Sequence, residues 1–171
     1  FAPAVREARV PLVFWQHGPA GSGHWLERWA RLTAPDFAVC TSQFSAGSLA
    51  ALFDVPHVVV HPPVPRPAPV PAEARAALRA ETGTPADAAV IVQVSRMEAW
   101  KGHHVLLSAL ARLPADANWR CWIVGGAQRP AENTYLAELR ALTAASGLEG
   151  RVRFLGQRDD VPSILAAADI F

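Results

Sequence analysis

The chain has 171 residues, 51% of them hydrophobic and 18% charged, with a formal net charge of +1 at neutral pH. This composition allows a packed core, whereas the small net charge and the lack of Lys/Arg clusters argue against a nucleic-acid-binding face. Cys40 and Cys121 both lie in apolar runs, so we expect buried free thiols and not a disulfide framework.

The first part of the chain is predicted to alternate strands and helices. Short apolar, β-rich runs predict strands over 10–15, 37–40 and 58–60. Trp25, Trp29 and Leu32 recur at the spacing of one face of a helix between the first two strands. Thr41 and Ser42 are residue types that cap a helix, which is predicted between the second and third strands.

Six prolines between His61 and Pro71 predict a stiff, extended connector. A surface loop within one domain is the alternative, but a new series of strands and helices starts after it. In that series, strands are predicted over 90–94, 120–124 and 152–155, and helices over 72–81, 103–113, 132–146 and 161–168. Residues 169–171 are predicted to open one more strand, so we expect the chain to be a piece of a longer protein.

Alternation of strands and helices with short loops predicts an α/β fold with mainly parallel, doubly wound sheets. The connector divides the series in two. We therefore predict two Rossmann-like domains, over 1–70 and 71–171, that face a cleft and are both incomplete here.

Two glycine-rich segments were weighed as nucleotide-binding loops. Residues 18–23 have the glycine spacing of a P-loop, but His24 and Trp25 stand where Lys and Ser or Thr are needed. A P-loop NTPase is therefore rejected. Gly125 and Gly126 follow a predicted strand and are interpreted as a tight turn close to a ligand.

A loop between a predicted strand and a predicted helix carries two cations. Arg96 follows the strand that ends at Val94, and Lys101 and Gly102 come directly before the helix. In open α/β sheets such loops lie at the carboxyl ends of the strands, where ligands bind, and the start of a helix favours anions. Arg binds phosphate oxygens through two parallel bonds, while Lys acts as a point charge. The loop predicts a phosphate or diphosphate site, with solvated surface cations as the alternative and Glu98 steadying one of them.

Other polar residues are less specific. His17 follows the first predicted strand and is either a structural histidine or a contact to an acceptor hydroxyl or a donor phosphate. The other histidines show no metal-ligand spacing, and the adjacent His103 and His104 point apart on a helix. Asp159 and Asp160 could be paired carboxylates, but Asp160 is better interpreted as the cap of the last helix.

Most of the chain, in collinear order, resembles the retaining glycosyltransferases of the GT-B fold, in the large family 4 (glycosyl transferases group 1). The segments that carry the resemblance are Trp15-Gln16-His17-Gly18, Val94-Ser95-Arg96 with Lys101-Gly102, Trp122-Ile123-Val124-Gly125-Gly126, Val152-Arg153-Phe154-Leu155-Gly156-Gln157 and the last seven residues. The family's glycine-rich acceptor loop is absent. Its pair of glutamates, eight positions apart, is expected after Phe171.

The resemblance implies a hexosyltransferase that moves a sugar from a nucleoside diphosphate sugar to an acceptor hydroxyl with retention of configuration. It assigns Arg96 and Lys101 to the donor diphosphate, Gly125 and Gln157 to the donor and nucleobase loops, and a catalytic role to His17. Residues 1–70 would then end the acceptor-side domain and include the linker, and residues 71–171 would begin the nucleotide-sugar-binding domain. This piece is expected to be inactive alone.

The implied partners are the nucleotide sugar and a glycan, lipid or small-molecule acceptor, without nucleic acid. Because two fixed cations can replace a divalent metal, no metal and no other cofactor is expected. A cytoplasmic location is expected. Peripheral attachment to the inner membrane face is common in the family, but no basic amphipathic helix indicates it here.

Two other hypotheses remain open at this point. One is a sugar-nucleotide epimerase of the same architecture, which would lack the glutamate pair. The other is a non-catalytic module that binds a phosphorylated ligand, for which loss of Arg96 would barely change sugar-nucleotide affinity.

Overall fold

A computed structural model describes residues 2–21, 23–64 and 69–171. The chain divides into two compact units, Phe1–Pro65 and Arg66–Phe171. Four residues in the middle of the predicted proline-rich connector, 65–68, lie outside the described residues. The acceptor-side and donor-side roles of the two predicted domains stay predictions.

Each unit alternates helices and strands. The described residues of the first unit form α1 (Ala2–Glu7), β1 (Val13–Gln16), α2 (Trp25–Ala30), β2 (Phe37–Cys40), α3 (Gln43–Ser48) and β3 (His57–Val59). Those of the second form α4 (Ala72–Glu81), β4 (Ala89–Val94), α5 (His103–Leu110), β5 (Trp119–Val124), α6 (Pro130–Ala145), β6 (Val152–Gly156) and α7 (Val161–Ala167). Short 3-10 turns at Leu49–Ala51 and Ala99–Lys101 follow α3 and precede α5.

The predicted strands and helices are all present, with bounds shifted by at most a few residues. The helix α1 is an element that the sequence did not predict. The helix α5 ends at Leu110 and not at the predicted residue 113. Pro114 disfavours helical backbone at Leu113. The predicted last strand is present as an isolated parallel bridge between Ile170 and Ile91.

Both sheets are parallel, in the orders β1-β2-β3 and β4-β5-β6. Val13 pairs with Phe37 in the first sheet, and Ala89 pairs with Trp119 in the second. The carboxyl ends of the three strands therefore lie along one edge in each sheet, where ligands bind in folds of this class.

The second sheet is packed on both faces. Trp119, Cys121 and Ile123 of β5 belong to a core cluster that includes residues of α5 and α6. Trp122 and Val124 point to the other face, into a cluster with residues of α4 and α7. This alternation is the period of a buried strand covered on both sides.

The first sheet has one core cluster among its described residues, formed by Ala38, Cys40, Ala46, Leu49 and Phe53. Ser42 caps α3 as predicted, since its hydroxyl accepts from the Ser45 N–H at 3.0 Å. The predicted helix α2 forms but ends at Ala30, so Leu32 lies beyond it. Trp25, Trp29 and Leu32 are 56%, 71% and 78% exposed.

Both cysteines are free and buried, which confirms the prediction. Burial raises the pKa of both thiols, that of Cys121 to about 12.

Asp160 occupies the N-cap position of α7, as predicted, but its side chain makes no capping hydrogen bond. Pro162 has no N–H to offer, and the Ser163 N–H bonds to the Asp160 carbonyl at 2.9 Å. The Asp160 carboxylate instead accepts two bonds from Arg158.

Asp169 forms hydrogen bonds with residues near the beginning of the second unit. Its carboxylate accepts from the Val90 N–H at 2.8 Å, from Arg79 at 2.7 Å and from Arg75. Both arginines lie on α4, the first helix of the unit, and Arg79 is buried. Asp169 therefore holds α4 against the edge of β4.

Candidate functional site

The strand ends of the second sheet come into direct contact at Gly125. Its N–H donates to the Gly156 carbonyl at 2.8 Å, and the Ser95 N–H donates to the Val124 carbonyl at 3.0 Å. Gly125 has a φ of +142°, and a Cβ added there would lie 1.8 Å from the Ser95 carbonyl oxygen. Only glycine fits both the backbone angle and the contact.

The loop after β6 closes the same edge. A Cβ added to Gly126 would lie 3.1 Å from the Cβ of Gln157, whose side chain is exposed. The structure therefore brings three of the predicted site residues, Arg96, Gly125 and Gln157, to one edge of one sheet.

Behind this edge lies a buried histidine that the sequence did not single out. His103 is fully buried, and its Nε2 lies 3.0 Å from the hydroxyl of Ser95. Its ring meets that of Tyr135 on α6 edge to face, with centroids 5.8 Å apart. Burial lowers the pKa of His103, and the positive charges of His104 and Lys101 add to this. A neutral His103 therefore ties the start of α5 to the residue that precedes Arg96.

Arg96 is held by carboxylates. Its Nη2 lies 2.5 Å from Oε1 of Glu132, near the start of α6, and its Nη1 lies 3.6 Å from Oε1 of Glu98. The Arg96 side chain is 39% exposed. The interpretation of Glu98 as a residue that steadies one cation agrees with this geometry, but Glu132 makes the shorter contact.

Lys101 belongs to the same loop but contacts different groups. Its Nζ lies 3.7 Å above the ring of the exposed Trp100, and its backbone carbonyl accepts from Gln93 Nε2 at 2.9 Å. The contact with Trp100 is a cation–π interaction, which orients the ammonium group.

The two cations also differ in the cavities near them. Lys101 lines a cavity of about 650 Å³ beside β4, together with Gln93, Ser95 and Gly102. A cavity of about 300 Å³ is lined by both partners of Arg96, Glu98 and Glu132, and by Trp100.

His17 lies in the first unit, just after β1. Its side chain is exposed, and its ring centre lies 4.5 Å from that of Trp15. Its carbonyl accepts from the Thr41 hydroxyl at 3.0 Å. These contacts place it at the carboxyl end of the first sheet, as predicted.

The side chain that organises this part of the first unit is Gln16, which the sequence analysis did not select. It is buried, and its Nε2 lies 3.0–3.1 Å from the Gly18 carbonyl, the Ser45 carbonyl and the Ser48 hydroxyl, which share its two N–H donors. The loop that follows His17 is thereby joined to α3. A polar residue at the end of an apolar run was the signal for this role.

Over the ranges that the structure describes, no three His, Cys, Asp or Glu side chains gather closely enough to hold a metal ion. Within the same residues, each helix is too short or too polar to cross a lipid bilayer.

A family model described as "Glycosyl transferases group 1" matches residues 74–171. The lipopolysaccharide core biosynthesis glycosyltransferase LpsE of Rhizobium meliloti (strain 1021) is 40% identical over 94 residues, 54% of this chain and 25% of that protein. A D-inositol 3-phosphate glycosyltransferase of Xylanimonas cellulosilytica is 35% identical over 134 residues, 71% of this chain and 30% of that protein.

Solved structures match nearly the whole chain. Anabaena Alr3699/HepE in complex with UDP-glucose is 29% identical, with a TM-score of 0.83 over 98% of this chain and 48% of that one. WaaG, a glycosyltransferase involved in lipopolysaccharide biosynthesis, has a TM-score of 0.66 over 98% of this chain and 54% of that one, at 17% identity, and shows the fold alone. The matched region spans about a quarter of the curated relatives and about half of these solved chains.

Proposed function

Because the chain belongs to the glycosyl transferases group 1 family, we propose that the protein containing it transfers a sugar from a nucleoside diphosphate sugar to an acceptor hydroxyl. Its two parallel α/β units have the GT-B-type fold class predicted from the sequence. The observation that carries the proposal is the edge of the second sheet, where the ends of β4, β5 and β6 bring Arg96, Gly125 and Gln157 together.

The donor diphosphate is proposed to bind at the loop of Arg96 and Lys101. As the bond to the sugar breaks, negative charge builds up on the departing diphosphate, and fixed cations stabilise charge where it develops. Arg96 supplies planar N–H donors and Lys101 a compact charge. We propose that these two cations act in place of a divalent metal, so that no metal or other cofactor takes part.

The donor is proposed to be a UDP-sugar. The 29% identical HepE has been solved with UDP, with UDP and glucose, and with UDP-glucose. In this chain, the backbone after β6, at Gln157, would approach the base, and the backbone of Gly125 would approach the donor at the end of β5. His17 would contact the reacting groups from the first unit.

Three finer assignments belong to the same proposal: membership of family 4, transfer of a hexose, and retention of the anomeric configuration. The acceptor would be a glycan, a lipid or a small molecule, the range that the names of the relatives suggest. The expected cytoplasmic location, with peripheral membrane attachment as the alternative, stays a prediction.

The test is a screen of the complete protein with UDP-, GDP- and ADP-sugars. The measurement is the rate at which the nucleoside diphosphate is released. We expect turnover of a UDP-sugar, and a loss of about 100-fold in kcat/KM for Arg96→Ala and Lys101→Ala, the usual effect of removing one charge-stabilising donor. Product analysis by NMR then determines whether the anomeric configuration is retained.

The remaining alternatives predict other outcomes. Conversion of the free nucleotide sugar into its epimer, without transfer, would establish an epimerase. Binding without turnover, unchanged in Arg96→Ala, would establish a non-catalytic module and overturn the proposal.

A further inference from the structure

The guanidinium of Arg96 is paired with a buried carboxylate. Glu132 is 5% exposed, and its Oε1 lies 2.5 Å from Arg96 Nη2. One of the five N–H donors of a guanidinium is used in this bond. The Nη1 of Arg96 is 3.6 Å from Glu98, beyond hydrogen-bonding distance. Donors therefore remain for a ligand while the group is held.

Glu132 is itself fixed on its other side. Its Oε2 accepts from the Gln128 N–H at 2.6 Å, and it lies in the first turn of α6, where a negative charge is favoured. The Gln128 N–H lowers the pKa of Glu132 most, and Arg96 lowers it further, against the opposing effect of burial. The carboxylate therefore stays ionised and rigid.

A carboxylate beside a phosphate-binding arginine has two opposing effects. It cancels positive charge that would attract the donor, and it holds a long side chain in one geometry before the donor arrives. With Glu98 and Glu132 beside Arg96, and Arg129 beside Glu132, the formal charges of this group sum to zero. Net attraction by this group of charges is therefore weak, and the alignment of the remaining N–H donors is the contribution left to Arg96.

We propose that Glu132 is a positioning residue for the donor diphosphate: it acts through Arg96 by fixing the plane and direction of its guanidinium. The inference rests on the proposed function, because it takes Arg96 as a diphosphate contact. It adds a residue from α6, 36 positions away in the chain, to the binding of the donor.

A double-mutant cycle in the complete protein tests the proposal. The variants are Glu132→Gln, which keeps the size and an acceptor oxygen, Arg96→Ala, and both together. Glu138→Gln, an exposed position on the same helix, is the matched control. The measurements are KM and kcat for the UDP-sugar that the wild-type protein turns over, and the melting temperature of each variant.

We expect Glu132→Gln to raise the KM for the donor about tenfold with a much smaller change in kcat, the size of coupling usual for groups in direct contact. In the Arg96→Ala background, the same substitution should leave KM unchanged, since there is no guanidinium left to position. Glu138→Gln should match the wild type.

Two results would overturn the proposal. Equal effects of Glu132→Gln with and without Arg96 would mean that the two residues act independently. A fall in melting temperature with an unchanged or lower KM would mean that Glu132 only stabilises α6 or only cancels charge.

If Glu132→Gln alone does not fold, the KM of Arg96→Ala is compared with that of the double variant. Both lack the Arg96 guanidinium, so neither contains an arginine that has lost its carboxylate partner. A KM that differs more than about threefold between them contradicts the proposal. Failure of the proposed function is recognised separately, since no wild-type turnover would then be seen with any nucleotide sugar.

Discussion

The two units hold the loops at their strand ends by opposite means. In the first unit, the buried amide of Gln16 reaches from the end of β1 to the following loop and to α3. In the second, the strand ends approach because Gly125 has no side chain, and the backbone of β5 meets that of Ser95. Gln16 can be replaced by a side chain of similar size at the cost of its hydrogen bonds. Gly125 cannot be replaced in the same way, because the Ser95 carbonyl already occupies the space that a side chain would need.

The units also differ in how their sheets are covered. Residues from both faces of β5 are buried in the second unit, while Val13 and Trp15 of β1 in the first are more than half exposed. Side-chain periodicity therefore predicts burial well where both faces of a sheet are packed, and less well where one face is open.

The largest expected effect comes from Gly125→Ala. The new methyl group would overlap the Ser95 carbonyl, and the alanine would have to adopt a backbone angle that favours glycine. We therefore expect a loss of about 3 kcal/mol or more in the free energy of unfolding. Urea denaturation followed by tryptophan fluorescence measures this. Gly18→Ala, at the strand end of the first unit with nothing within 4 Å of the added Cβ, is the control. Equal losses in both variants would refute the comparison.

Gln16→Met should have the next largest effect. The substitution keeps the volume but removes the Gln16 donor from the exposed Gly18 and from the buried Ser45 carbonyl, which keeps a bond from the Ser48 hydroxyl. We therefore expect a cost of about 1 kcal/mol. The same denaturation experiment applies, with the exposed Gln43→Met as the matched control. A loss of unfolding free energy as large as that of Gly125→Ala would contradict the distinction between the Gln16 hydrogen bonds and the close backbone contact at Gly125.

A pH-dependent effect is expected from His103 in the second unit. Because its pKa is lowered in the folded state, the stability that it contributes is complete above the unfolded value of about 6.5 and is lost as pH falls through the folded pKa. His103→Leu should flatten this part of the stability profile between pH 7 and 5, whatever its effect at pH 7. His104→Leu, at the exposed neighbour whose charge adds less than burial does to the lowered pKa of His103, should reduce the slope but leave most of it in place. A slope that persists in His103→Leu contradicts the prediction.

The smallest effect is expected at Trp100. Its ring lies under the Lys101 ammonium group, and an exposed cation–π contact is worth a change of about threefold in the KM for the donor on Trp100→Ala. Trp100→Phe retains a ring and should lie between the wild type and the alanine variant. A KM that is the same in both variants would show that the ring does not orient Lys101.

The sequence located the parallel strands, the loop of Arg96 and Lys101 and the turn at Gly125, because these depend on apolar runs and on residues adjacent in the chain. It did not find Glu132, since an ion pair across 36 positions depends on how α6 packs beside the β4–α5 loop. His103 was not predicted to be functional because the histidines lack metal-ligand spacing, and the sequence does not show that His103 is buried while His104 is exposed. The spacing of Trp25 and Trp29 predicted that they share one face of a helix. Spacing alone does not show whether other parts of the fold bury that face.

The fastening of Asp169 to Arg75, Arg79 and Val90 bears on how the second unit forms during synthesis. These contacts join residues 79 to 94 positions apart, nearly the length of the unit. When α4 leaves the ribosome, its arginines have no carboxylate at this position until 90 to 94 further residues have been translated. We therefore expect the unit to close late, with α4 docking after β4, β5 and β6 have paired.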